Sequence, residues 1–103
     1  MKVRRDRQDI VVAYDVRTET PEGRRRLRRA ARICKNYGQR VQFSVFECAV
    51  TPAQLEQLQC ELCDVMDPKE DSLRIYVLHL GRENSIRVFG RDGYVDFDEP
   101  LVF

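Results

Sequence analysis

The sequence lacks several features that would assign it to a familiar class. No run of apolar residues approaches the roughly 18–20 that a membrane-spanning helix needs, so we expect no membrane association. The charged first residues are not followed by the apolar core of a signal peptide, and we expect a cytoplasmic protein. The five glycines are scattered along the chain and form no phosphate-binding loop. A chain of 103 residues predicts a single domain over residues 1–103.

Acidic residues are absent from a long central stretch, since none lies between Glu22 and Glu47. Residues 1–45 carry 13 Lys and Arg against 5 Asp and Glu, whereas residues 46–103 carry 5 against 12. The net charge of +1 therefore conceals a basic first part and an acidic second part. This asymmetry favours a phosphate-bearing partner for the basic part.

The first predicted elements are a strand and a cationic helix. Residues 9–16 are mostly β-branched and apolar, which indicates a buried strand. Residues 21–37 show helical spacing, with Thr20 as N-cap and Gly38 ending the helix in the left-handed conformation. A solvated face is the ordinary interpretation of such a helix, but without acidic neighbours we favour a nucleic-acid-binding surface that is insensitive to base sequence. Its predicted binding residues are Arg24, Arg25, Arg28, Arg29, Arg32 and Lys35.

The rest of the chain completes an α+β pattern. Residues 40–50 predict a strand whose apolar face is formed by Val41, Phe43 and Val45. A break at Glu47–Cys48 would divide it in two. A helix over 52–66 and a strand over 72–80 follow, and the segments 85–89 and 94–97 are strand-like. The order predicts a ferredoxin-like βαββαβ fold, with two helices on one face of an antiparallel sheet and an additional C-terminal strand. Dimerisation would cover the open face of that sheet.

Few side chains offer chemistry. Asp15 ends the first strand, where it either caps a turn or, paired with a second copy in a two-fold dimer, holds Mg²⁺. The only histidine, His79, lies between leucines in a predicted strand, which indicates a structural role. The four cysteines are predicted to be packing residues. The alternative for these side chains is a zinc site formed by Cys34, Cys60, Cys63 and His79.

Four segments resemble one known family. They are Tyr14-Asp15-Val16, the run from Tyr37 to Glu47, Thr51-Pro52, and the run from Asp67 to Tyr76. Together they resemble the small CRISPR-associated adaptation nucleases, the homodimeric partners of the CRISPR integrase. The resemblance covers about residues 9–90, so the charged extension 1–8 lies outside it.

The resemblance implies a ferredoxin-like homodimer in which a C-terminal strand and tail, residues 85–103, cross to the partner subunit. It places the metal-binding aspartate of the family at Asp15, with Mg²⁺ as the expected cofactor. It also implies that Asp15, Arg40 and Phe46 are the catalytic residues.

The implied function has two parts. One is metal-dependent endonuclease activity on single-stranded RNA or double-stranded DNA. The other is to bridge dimers of the CRISPR integrase, in a heterohexameric adaptation complex that holds spacer-precursor DNA. A stand-alone, toxin-like Mg²⁺-dependent ribonuclease and a purely architectural subunit without catalysis remain the alternatives.

Overall fold

The computed structural model describes residues 6–91 and Tyr94. Strands β1 (Gln8–Asp15), β2 (Gly38–Gln42), β3 (Val45–Val50) and β4 (Ser72–Leu78) form an antiparallel sheet in the order β2-β3-β1-β4. Helices α1 (Pro21–Lys35) and α2 (Pro52–Val65) connect them, so the chain runs βαββαβ. The predicted ferredoxin-like fold is confirmed.

The core lies between one face of the sheet and the two long helices. Successive strand residues point to opposite faces, so Ile10, Val12 and Tyr14 of β1 all point towards the helices. Phe46 of β3 lies opposite Val12 and is 0 % exposed. From the helices, Ala30, Cys34, Leu58 and Leu62 complete the core. Each fully buried large apolar side chain contributes about 1.5–3 kcal/mol of transfer free energy.

Both long helices begin as predicted. The Thr20 hydroxyl accepts a hydrogen bond from the Gly23 amide, and Thr51 forms a reciprocal capping box with Gln54. The end of α1 was predicted wrongly. The helix stops at Lys35, and Gly38 opens β2 without a left-handed conformation. Glycine is needed there because a Cβ atom would lie 2.3 Å from the Glu47 carbonyl oxygen.

The hairpin between β2 and β3 was also predicted wrongly. The chain turns at residues 43–44, not at Glu47–Cys48, which lie within β3 and pair with β1. Two-residue hairpins usually need positive φ and therefore glycine, whereas this turn has neither. A β-bulge between Arg40 and Gln42 adjusts the register instead. Phe43, predicted on an apolar strand face, is consequently 95 % exposed at the turn.

A short helix that was not predicted precedes the predicted strand segment 85–89. The chain leaves β4 after Leu78, turns at Gly81 with a φ of 78°, and forms α3 (Arg82–Ser85). The Arg82 amide donates to the Asp9 carboxylate at 3.0 Å and holds this turn against β1. Residues 86–89 form no strand within the described chain, where no strand runs beside them, and their predicted pairing with a partner subunit stays a prediction.

Some predictions fall outside the described residues. They concern most of the extension 1–8 and the exchanged tail, of which Tyr94 alone is described beyond Arg91. Among the described helices, none has the length and apolar character needed to cross a membrane.

Asp71 ties together the two loops at one end of the sheet. Its side chain is 1 % exposed and accepts hydrogen bonds from the backbone amides of Arg17 and Asp67, at 3.2 and 2.9 Å. The Arg26 guanidinium completes the set through an ion pair at 2.9 Å. Burial acts to raise the pKa of Asp71, but Arg26 and the two amides outweigh it and hold that pKa below its ordinary value.

We expect Asp71→Ala to lower the free energy of unfolding by about 3 kcal/mol, because it leaves Arg26 and two amides without their acceptor. The matched control Glu70→Ala removes a carboxylate that is 40 % exposed and should cost less than about 1 kcal/mol. Urea denaturation at pH 7 measures both.

Because the folded-state pKa of Asp71 is lowered, its contribution is present above the unfolded pKa of about 3.9 and is lost as the pH falls through the folded value. The difference between wild type and Asp71→Ala should therefore shrink at acid pH. If Asp71→Ala and Glu70→Ala lowered the free energy of unfolding equally at pH 7, that result would contradict the role assigned to Asp71.

Candidate functional site

The basic side chains of α1 form an exposed surface, hereafter the α1 basic face. Its six members are all exposed, and none is paired with a carboxylate among the described residues. Arg24 donates to the Thr18 carbonyl oxygen at 3.1 Å, while Arg26 turns away to Asp71 and does not belong to the face. The members are Arg24, Arg25, Arg28, Arg29, Arg32 and Lys35. Such a surface suits polyanions, because no carboxylate in the described part of the chain neutralises it.

The α1 basic face points outwards because the opposite face of the helix is apolar and packs on the sheet. Ala30, Ala31 and Cys34 are buried there. Arg32 and Lys35 occupy the last turn, where positive charge interacts favourably with the helix dipole. The predicted placement of these side chains is therefore confirmed, whereas their binding to nucleic acid stays a prediction.

Arg40 and Phe46 lie together at the edge of the sheet. They are paired in register across β2 and β3, and the Arg40 guanidinium carbon lies 5.3 Å from the centroid of the Phe46 ring. The Phe46 ring also lies alongside Tyr14, with the ring centroids 6.2 Å apart. Since Phe46 is 0 % exposed, its ring orients Arg40 through a cation–π contact and meets no ligand in the folded chain.

Asp15 is exposed at the end of β1, opposite Ser72 of β4. It lines an open depression of about 330 Å³ together with Arg17, Glu19 and Glu70. Arg17 engages both glutamates, at 2.9 Å for Glu19 and 2.8 Å for Glu70. Asp15 is therefore the carboxylate of this depression that Arg17 does not engage.

The donor set around Asp15 is compatible with one kind of metal site. No group of three or more His, Cys, Asp or Glu that could hold a metal ion occurs among the described residues. Mg²⁺ keeps several water ligands and needs only one or two protein carboxylates when a phosphate supplies further oxygens. An exposed Asp15 fits that requirement, whereas it could not form an all-protein cage.

The structure does not bring the three predicted catalytic residues together within one chain. Arg40 pairs with Phe46, and Phe46 pairs with Val12. Paired side chains lie on the same face of a sheet, so all three lie on the face that the helices cover. Strand alternation directs Asp15 to the opposite, open face. A single chain therefore offers Asp15 and Arg40 on different sides of its sheet.

The cysteines and the histidine divide into two groups. Cys34 and Cys48 are buried as predicted, and burial raises the pKa of each thiol to about 12, which leaves both unreactive at neutral pH. Cys60 and Cys63 are exposed on α2, so their prediction as packing residues was wrong. The predicted strand position of His79 was wrong as well, because it follows β4 and is exposed.

Sequence reasoning missed two aromatic side chains near Arg40. The buried hydroxyl of Tyr14 has no hydrogen-bond partner in the described part of the chain, and Phe43 projects into solvent at the hairpin turn. The strand pattern made both residues core candidates. The missing partner and the turn become visible only when the hairpin is placed beside β1.

Comparison with known proteins supplies the family. The model of the family described as CRISPR associated protein Cas2 matches residues 8–86. The CRISPR-associated endoribonuclease Cas2 of Chlorobaculum tepidum is 67 % identical over 93 residues, which cover 90 % of this chain and 97 % of that protein. The CRISPR-associated endonuclease Cas2 of Halalkalibacterium halodurans is 44 % identical over 94 residues, or 91 % of this chain and 98 % of that protein.

A solved structure agrees with these sequence relatives. The crystal structure of Streptococcus pyogenes Cas2 at pH 6.5 superimposes with a TM-score of 0.72 at 48 % identity. The match covers 80 % of this chain and 99 % of that one. The family model, the relatives and the fold all agree, and the chain belongs to the CRISPR-associated protein Cas2 family.

Proposed function

We propose that this protein is a CRISPR adaptation protein that binds nucleic acid and bridges dimers of the CRISPR integrase as a homodimer. The observation that carries nucleic-acid binding is the α1 basic face, six exposed cations without a described carboxylate partner. Family membership supports the CRISPR role, and two relatives carry the names endoribonuclease and endonuclease. The proposed polynucleotides are spacer-precursor DNA and, as a second substrate, single-stranded RNA.

The α1 basic face has the dimensions of a backbone-binding surface. From Arg24 to Lys35 the helix rises about 16 Å. Over that length a DNA strand presents several phosphates, at about 3.4 Å each along the axis. Guanidinium groups pair with phosphate oxygens through two parallel hydrogen bonds, so adjacent arginines can engage adjacent phosphates. These contacts position a duplex without reading its bases.

Hydrolysis of a phosphodiester is the second part of the proposal. Asp15 would hold Mg²⁺ together with the Asp15 of a second copy, since each chain contributes one unengaged carboxylate to its own depression. A bound Mg²⁺ would supply Lewis acidity and lower the pKa of a coordinated water. In the chain itself, Arg17 engages Glu19 and Glu70 and leaves Asp15 unengaged, whereas Arg40, oriented by Phe46, lies on the other side of the same chain's sheet.

A homodimer is supported by the apolar surface that one chain leaves open. Tyr76 on the open face of the sheet is 47 % exposed. Beyond β4, Leu80 and Phe89 are 72 % and 90 % exposed. Contiguous exposed apolar patches commonly mark a protein interface, and the proposal is that these side chains contribute to one. A second copy is the proposed partner because pairing two such faces also brings together the two chains that the metal site requires.

One observation favours the architectural alternative. Within residues 6–91, Asp15 has no cluster of three metal-ligating side chains around it. A subunit that only binds and bridges would need the α1 basic face and no metal. Binding and cleavage must therefore be measured on the same preparations.

The first test reverses charge on the α1 basic face. In Arg25→Glu/Arg28→Glu, affinity for a 30-base-pair duplex should fall at least about tenfold at moderate salt, and the slope of log affinity against log salt should decrease by about 2. Fluorescence anisotropy across a salt series measures both quantities. The control Lys69→Glu/Arg87→Glu makes the same change in net charge at exposed residues outside α1. If the two variants lost the same affinity for the duplex, a binding role specific to α1 would be refuted.

The second test concerns Asp15. With Mg²⁺, we expect cleavage of labelled single-stranded RNA or duplex DNA that stops with chelator and falls at least about a hundredfold in Asp15→Asn, because metal stabilisation is worth several kcal/mol. The control Asp64→Asn removes an exposed carboxylate on α2 and should retain activity. Unchanged cleavage in Asp15→Asn would exclude Asp15 as the metal ligand. No cleavage with binding intact would establish the architectural alternative.

A further inference from the structure

A second depression lies between α1 and the β2–β3 hairpin, on the helix side of the sheet. Its volume is about 430 Å³, which is in the range of small-molecule sites. Part of its wall comes from α1, including three members of the α1 basic face, and the remainder from the hairpin and β1. Its lining residues are Tyr14, Leu27, Arg28, Ala31, Arg32, Lys35, Arg40, Phe43 and Ser44.

The lining is strongly cationic. Arg28, Arg32, Lys35 and Arg40 all belong to it, and none of the described lining residues is acidic. None of the four is in an ion pair with a described carboxylate. Four unneutralised cations in one depression favour a ligand with more than one negative charge. A phosphate monoester carries −1.5 to −2 at neutral pH and fits this requirement better than an internal phosphodiester.

The hydroxyl of Tyr14 provides an independent indication of a ligand. Tyr14 is 6 % exposed, and its buried hydroxyl has no hydrogen-bond partner among residues 6–91 and Tyr94. Buried tyrosine hydroxyls usually have one. Hydrogen bonding by Arg40 and Ser44 acts to lower its pKa, so both side chains lie next to the hydroxyl, but neither meets it with the distance and angle of a formed hydrogen bond. Burial raises the pKa of Tyr14, so at neutral pH the hydroxyl is protonated and can donate to a ligand oxygen.

The hairpin turn adds an aromatic surface. Phe43 is 95 % exposed beside these cations. The turn is held in place because the Tyr14 amide donates to the Ser44 carbonyl oxygen at 3.1 Å. An exposed aromatic ring next to a cationic depression is the arrangement on which nucleic-acid-binding proteins stack single bases.

We propose that this depression binds one phosphorylated nucleotide, either free or at the 5′ end of a strand. The phosphate lies among Arg28, Arg32 and Arg40, the Tyr14 hydroxyl donates to one of its oxygens, and the base stacks on Phe43. The proposal rests on the proposed nucleic-acid binding and extends it, because it specifies the terminal phosphate monoester as the group recognised.

The experiment compares two single-stranded tetranucleotides of one sequence, with a 5′-phosphate or a 5′-hydroxyl, by isothermal titration calorimetry. The phosphorylated strand should bind at least about tenfold more tightly, because a hydrogen bond to a charged group is worth that factor. Adenosine 5′-monophosphate is titrated alongside. Comparable binding of the nucleotide would identify a free ligand, whereas binding of the strand alone would identify a strand end, and either result supports the site.

Two variants test the assigned contacts. Tyr14→Phe removes only the buried hydroxyl, keeps the ring, and should abolish most of the preference for the 5′-phosphate. Phe43→Ala should weaken binding of the phosphorylated strand about 5- to 100-fold through lost stacking. The controls are Tyr37→Phe, whose hydroxyl donates to Glu61, and Gln57→Ala at an exposed position of α2; both lie outside the lining of the depression and outside the proposed dimer surface. Thermal unfolding confirms that each variant is folded.

The outcomes separate this site from the proposed function. No preference for the 5′-phosphate, or no effect of Tyr14→Phe and Phe43→Ala, would overturn the nucleotide site. If Arg25→Glu/Arg28→Glu still weakened duplex binding in that case, the proposed function would stand. Conversely, nucleotide binding that depends on Tyr14, in a protein without affinity for duplex DNA or RNA, would refute the proposed function and retain the site.

Discussion

Hydrogen bonding of β1 to strands on both of its sides is the constraint on which the other features depend. β1 pairs with β3 along one edge and with β4 along the other, so neither its register nor its facing can shift independently. This fixes Tyr14 against the helix side and Asp15 towards the open side. Two adjacent residues thereby belong to two different regions, a cationic depression and an acidic one. The separation of the cationic depression from the acidic one therefore follows from the alternation of side chains along one strand.

The α1 basic face reduces the stability of its own helix. Like charges four residues apart, such as Arg24 with Arg28 and Arg25 with Arg29, cost about 0.2–0.5 kcal/mol per pair. The Thr20 cap offsets about 1 kcal/mol of such repulsion. A polyanion would relieve the rest, so binding and folding are thermodynamically coupled: a ligand of this face also stabilises the helix that presents it.

The features that could be predicted from the sequence are those that depend on residues close together in the chain. Thr20 with Pro21, and Thr51 with Pro52, mark the helix starts through side chains within a few residues of each other. The exposed cations were equally predictable, since helical spacing alone puts them on one side. The hairpin was not, because its turn lacks glycine and depends on a bulge that no local pattern announces.

That the Tyr14 hydroxyl lacks a hydrogen-bond partner could not be predicted from the sequence, for a related reason. Arg40 and Ser44, the polar groups nearest to it, come from a hairpin about 30 residues along the chain. Whether they reach the hydroxyl is decided by sheet register, which composition does not contain. The same limit applies to Asp15, because the separation of its side chain from Arg40 depends on how three strands are paired.

Because of the bulge, β2 tolerates substitutions better than it tolerates a change in the number of its residues. The register changes between Arg40 and Gln42, so Val41 is accommodated as one extra residue. Because side chains alternate, an insertion or deletion between Gly38 and Arg40 would carry Arg40 to the other face, away from Tyr14. Natural variation within this segment should therefore occur by substitution at constant length, and a gap there in a related sequence would mark a protein that has lost the arrangement.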